Sequence, residues 1–141
     1  MSATVIDPAI QRAYLETEYR VKADRAFVLR IGVSSPELAR LHAEHQVSCS
    51  AFVTACNPYS QPTADEQNAK YQAALEAEFA ALGIPIFPGI GQHPSGDWPG
   101  EPSFLALGLT LSQAQDLGIR YEQNAIVWND QDTVPQLVLL R

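Results

Sequence analysis

Positive charge is scarce in this sequence: nine Lys and Arg stand against sixteen Asp and Glu, a net charge of −7. Nucleic acids and anionic membrane surfaces are held by a positive stripe, which nine scattered cations do not supply, so neither is expected as a partner. Long apolar runs are also missing. None approaches the roughly 20 residues of a membrane helix, and no signal-peptide core precedes the first polar residues, so a cytoplasmic location is expected. There are only two cysteines, Cys49 and Cys56. They bracket one extended segment seven positions apart, on opposite faces, which excludes a disulfide between them and suits reduced thiols. The three histidines have no company at ligand spacing: His42 and His45 lie at i and i+3 with no third ligand nearby, and His93 has no neighbouring His or Cys. No metal site is expected. Nor is a cofactor, because Gly89-Ile90-Gly91 lacks the third glycine of a dinucleotide loop and runs into prolines where a helix would be needed.

What is there suits one soluble domain over residues 1–141. The chain is 46% hydrophobic, and at this length about two-thirds of the unfolded surface can be buried without staples. Asp7-Pro8 is a cap and first-turn proline, followed by Ile10, Ala13, Tyr14 and Thr17 at helical spacing. Residues 1–22 therefore read as an N-terminal helical segment before a core at 26–141. Residues 26–31 (AFVLRI) are strand-like, and 34–37 (SSPE) offers a capping-box start for a helix whose inward stripe is Leu38, Leu41 and His45. Residues 51–55 (AFVTA) form a short strand ending in the turn composition Asn57-Pro58-Tyr59-Ser60. Thr63 and Glu66 make a capping box for a long helix through Leu75, Phe79 and Leu82, stopped by Gly83. Residues 84–87 read as a strand, 88–102 as a long loop rich in proline and glycine, and 103–109 as a buried strand. Thr110 and Gln113 cap a short helix, and 125–128 with 136–140 form a terminal hairpin. The order α-β-α-β-α-β-β-α-β-β predicts an α/β (mixed α+β) domain with a single mixed sheet flanked by helices.

Three polar clusters are candidate site residues. Asn68 is seven positions before Leu75 and so shares the apolar face of the long helix; its amide should point back at the 57–60 turn, at the carboxyl end of a strand. The alternative is that it only ties the turn down. The second cluster is the loop with His93, Asp97, Trp98, Glu101 and Ser103. Pro102 stiffens the backbone behind Glu101, whose carboxylate is suited to act as general base, ligand or partner of an arginine such as Arg30, or simply to anchor the loop. Trp98 reads as a lid packed on the core or as a stacking platform. The third is Gln123-Asn124, whose amides offer both donors and acceptors and suit recognition of a polar group, or capping of the preceding helix. Cys56 reads as a small buried residue rather than a nucleophile, because no His partner is identifiable.

Taken together, 27–32 (FVLRIG), 51–60 (AFVTACNPYS), Asn68, 98–103 (WPGEPS) and 123–128 (QNAIVW) resemble the bacterial domain-of-unknown-function family 3293. The likeness covers nearly the whole chain after the first helix. It departs at Cys56, where the family commonly has Trp before the Asn-Pro turn. What the resemblance implies is a small bacterial single-domain protein, with Asn57, Ser60, Asn68, Glu101, Ser103, Gln123 and Asn124 as the motif's polar positions; it implies no reaction.

The leading expectation is a domain that binds a small polar molecule or a polar segment of a partner protein. Its cleft would be built from the 57–60 turn, the Glu101 loop and Gln123-Asn124, because amides and hydroxyls dominate that set. One alternative is a hydrolase or transferase with Glu101 as acid/base and Ser60 or Ser103 as nucleophile or anchor. Another is an acidic interaction module of the inhibitor or immunity type, which would need a contiguous acidic face and no pocket.

Overall fold

The computed structural model of the chain describes residues 4–141. In chain order its elements are α1 (Pro8–Glu16), β1 (Glu18–Val21), β2 (Phe27–Leu29), α2 (Pro36–Glu44), β3 (Ser50–Val53), a single 3-10 turn (Pro58–Ser60), α3 (Asp65–Leu82), β4 (Ile86–Gln92), β5 (Glu101–Leu107), α4 (Leu111–Arg120), β6 (Ala125–Asn129) and β7 (Pro135–Leu139). The strands form one sheet in the order β2-β1-β4-β5-β3-β6-β7, curled into a half-barrel. The mixed α+β class and the single sheet with helices around it hold. Within that sheet every neighbouring pair is antiparallel, so the parallel pairs expected of a mixed sheet are not found among the described residues.

Period-two alternation divides the core between the two faces of the sheet. Ala51, Val53, Ala106 and Ile126 meet Leu75 and Phe79 of α3 and Ala114 and Leu117 of α4. On the other face Phe52, Leu105, Leu107 and Val127 meet Leu38 and Leu41 of α2 together with Tyr19, Val21 and Leu29 of the first hairpin. Each fully buried Leu or Phe contributes about 1.5–3 kcal/mol, so these two clusters are the main apolar support of the fold.

Four expectations need correction. Residues 18–21 are strand β1 rather than the end of a helical segment: Tyr19 and Val21 point inward, and the strand pairs with both β2 and β4. The loop expected over 88–102 is mostly sheet, since β4 runs on to Gln92 and β5 begins at Glu101. The prolines are tolerated because their missing N–H groups fall where neighbouring strands stop. The Pro88 carbonyl accepts from Lys22, just past the end of β1, and that of Pro102 accepts from the Thr54 hydroxyl, just past the end of β3. Third, α2 turns His42 inward, with Leu38 and Leu41, while His45 is exposed because it is the C-cap where the helix ends. Finally, the expected capping box of α3 is absent. Its N-cap is Ala64 with no side-chain bond, for a reason given below.

Gly89 allows the closest approach in the sheet. A Cβ there would lie 2.6 Å from the Arg20 carbonyl oxygen and 2.7 Å from the Phe52 ring. Only glycine lets the strand pass beneath that ring.

Candidate functional site

The chain leaves β3 through a strained turn. Asn57, Tyr59 and Ser60 all have φ between 49° and 60°, the left-handed region that costs a side chain such as that of Tyr59 about 1–3 kcal/mol. Asn is among the few side chains that accept it readily. The turn is held from three sides. Asn68 in the first turn of α3 accepts from the Asn57 backbone N–H (2.8 Å), and its own amide donates to Asn57 Oδ1 (2.9 Å) and to the Thr63 carbonyl (3.2 Å). The Tyr59 N–H donates to the carbonyl of Glu122, itself left-handed, at 2.6 Å. Ser60 Oγ lies 2.7 Å from the Tyr14 hydroxyl and accepts from Asn124 Nδ2 at 2.9 Å. The Thr63 backbone N–H also donates to Asn57 Oδ1 (3.1 Å), so Thr63 is bound into this turn and does not cap α3.

Glu101 opens β5 across from this turn. Asn57 Nδ2 donates to its Oε2 at 2.9 Å, and the Ser103 hydroxyl donates to its backbone carbonyl at 3.0 Å. Arg30, the expected partner, instead pairs with Glu18 (3.0 Å) on the exposed side of the first hairpin. With no cation at hand, burial pushes the Glu101 carboxyl above its ordinary value, and the Asn57 hydrogen bond opposes this only in part. Two further weak acids lie close by. Burial raises the Cys56 thiol, and the charge on Glu101 raises it further. The same two influences raise Tyr19, whose hydroxyl donates to the Tyr14 carbonyl at 2.6 Å.

These groups border one cleft of about 1070 Å³, with Asn57, Ser60, Asn68, Trp98, Glu101, Ser103 and Gln123 all in its wall. Asn124 does not line it and reaches it through Ser60; the Arg141 guanidinium, which donates to Asn124 Oδ1 (3.1 Å), lies 4.1 Å over the Tyr59 ring. Gln123 is tied down, donating to the carbonyls of Cys56 (3.0 Å) and Tyr121 (3.2 Å). Trp98 packs on no core: it is 54% exposed at the mouth, edge-on to His93 at 4.8 Å.

Sequence reasoning missed much of the wall. Helix α1 has no buried residue of its own, yet Ile10, Ala13 and Tyr14 close one side of the cleft. Thr54 and Gln72 brace the strand exit, where the Ala55 N–H donates to Gln72 Oε1 at 2.7 Å. For Gln72 a signal was present, because it follows Asn68 by four positions on the same face of α3. Among the described residues no group of three His, Cys, Asp or Glu side chains is placed to hold a metal ion, and no helix is long and apolar enough to cross a membrane.

A family model described as "Protein of unknown function (DUF3293)" matches residues 53–126, just over half of the chain. The matched stretch runs from the end of β3 into β6 and carries the polar cleft residues named above from Thr54 to Gln123, with Asn124 behind them. No curated protein and no solved structure matches this chain.

Proposed function

We infer that this chain, which belongs to the DUF3293 family of proteins of unknown function, is a binding domain for a small polar ligand or a polar segment of a partner. The observation that carries this reading is Glu101: a partly buried carboxyl in the wall of a cleft of about 1070 Å³, with one oxygen fixed by Asn57 and no hydrogen-bond partner for the other among the described residues. Large clefts with a few convergent polar groups on apolar walls are where proteins bind small molecules. The Asn57-Asn68 pair holds the turn rigid, so the site is shaped before a ligand arrives, which lowers the ordering cost of binding. A pocket of this size also weighs against the acidic interaction module, which required none.

One observation favours a second reading. A carboxyl raised by burial is suited to donate a proton, as a general acid does. The expected nucleophiles do not support it: Ser60 Oγ is engaged by Tyr14 and Asn124, and Ser103 by a backbone carbonyl, and neither hydroxyl is bonded to the carboxyl.

The test is a pooled-metabolite screen for retention and for turnover, run in parallel on wild type and Glu101→Gln. The binding reading predicts retained compounds that are not consumed and that the variant holds about tenfold or more weakly. A compound consumed by wild type and spared by the folded variant would establish the acid/base reading instead. Retention of no compound would refute both.

A further inference from the structure

Resting on the ligand-binding reading above, we propose that the cleft takes a ligand bearing a protonated amine on an apolar body, with the ammonium seated against Glu101. The lining of the cleft includes the carboxylates of Glu101, Asp65 and Glu76, and no Lys or Arg side chain among the described residues. Three arginines elsewhere in the fold are already engaged: Arg20 and Arg30 both clasp Glu18, at 2.8 and 3.0 Å, and Arg141 lies over Tyr59. His93, the one basic group in the wall, has Nδ1 2.8 Å from Ser95 Oγ and Nε2 3.7 Å from Glu16, and so answers to a carboxylate outside the cleft.

Around Glu101 itself the neighbours are Cys56 and Tyr19, weak acids that carry no positive charge in either form, and Asn57, which satisfies only Oε2. Among the described residues no Lys or Arg lines the cleft to supply the positive charge that a desolvated carboxylate requires, and an incoming ammonium would supply it with three N–H donors. An incoming carboxylate or phosphate would instead face Glu101 with no cation to offset the repulsion. Much of the remaining wall is apolar, with Ile10 and Ala13 of α1 and Phe52 and Phe104 of the sheet among it. That pairing of a partly buried carboxylate with largely hydrocarbon walls fits an amine carried on an alkyl or aryl body.

Calorimetric titration of the intact protein at pH 8 with hexylammonium, hexan-1-ol and hexanoate tests this, since the three probes share one apolar tail. Wild type should bind hexylammonium about tenfold or more tightly than hexan-1-ol, and hexanoate more weakly than either. Glu101→Gln should abolish the ammonium preference while leaving hexan-1-ol unchanged. The wild-type ranking is decisive alone if the variant does not fold. Equal binding of all three, or a preference for hexanoate, would overturn the cationic ligand and leave the cleft a binding site. Binding of none would overturn both.

Discussion

Replacing Asn68 by alanine should loosen the turn on which the cleft is built. The side chain makes three hydrogen bonds, accepting from the Asn57 N–H and donating to Asn57 Oδ1 and the Thr63 carbonyl, at 2.8, 2.9 and 3.2 Å. A hydrogen bond contributes about 0.5–1.5 kcal/mol net, so three are worth about 1.5–4.5 kcal/mol. Alanine's better helix propensity returns about 0.5 kcal/mol. The expected loss is therefore about 1–4 kcal/mol, a fall of about 3–14 °C in Tm for a domain of this size. Urea unfolding followed by circular dichroism would show it as a lower midpoint at an unchanged slope. Hydrogen exchange should quicken at the amides of Asn57 and Tyr59, which the loosened turn no longer holds. Asn68→Asp keeps an acceptor for the Asn57 N–H but sets a carboxylate against Asn57 Oδ1 and the Thr63 carbonyl, so it should be no better than alanine. A loss below about 0.5 kcal/mol in Asn68→Ala would show that the left-handed turn stands without this residue, and the reasoning fails.

Gly89→Ala places a Cβ 2.6 Å from a backbone carbonyl and 2.7 Å from the Phe52 ring, so urea unfolding should show a loss of about 1–3 kcal/mol; an unaltered midpoint would refute the close crossing. His42 is buried against the Ser50 hydroxyl (2.8 Å), and burial lowers its pKa below 6.5. The unfolded chain then binds the proton first, so this contribution is complete above about pH 6.5 and is lost as pH falls through the lowered value. His42→Gln should flatten the decline in stability from pH 7 to 5, and an identical decline in both proteins would contradict the assignment. Burial raises both thiols, and Cys56 is only 1% exposed, so iodoacetamide at pH 7.5 should label Cys49 about tenfold or more faster than Cys56 by mass spectrometry; faster labelling of Cys56 would overturn its placement.

Where a local chemical preference and the tertiary fold agree, the sequence is legible. The cap at Asp7 and the capping box at Thr110 and Gln113 stand where residue type predicts, and α2 begins at the expected serines, though Ser35 caps it alone and the Ser34–Glu37 capping box does not form. Gly83 ends α3 in the left-handed conformation, with φ of 68°. Asn68 points at the 57–60 turn because helical geometry alone aims it there. Legibility fails where a local preference is outbid. Thr63 has the chemistry of an N-cap, but its backbone N–H is taken by Asn57 Oδ1. Pro88 and Pro102 carry loop composition, yet both lie in strands because their neighbours end beside them. Strand β1 has only four residues, two of them charged, too few for period-two alternation to stand out from the preceding helix. The part played by Tyr14 and Tyr19 had no local signal at all, since it depends on α1 folding back beside the cleft.

The central claim is that the space bounded by Asn57, Asn68 and Glu101 receives a ligand. A nitrogen–proton correlation spectrum of the labelled protein, titrated with a library of small fragments that includes amines, tests it most directly. The account predicts that hits shift the backbone amides of Asn57, Asn68 and Glu101 and the side-chain amide of Gln123 together, and that Glu101→Gln weakens those shifts. Hits that cluster elsewhere on the sheet or helices, or that shift the same signals equally in the folded variant, would contradict it.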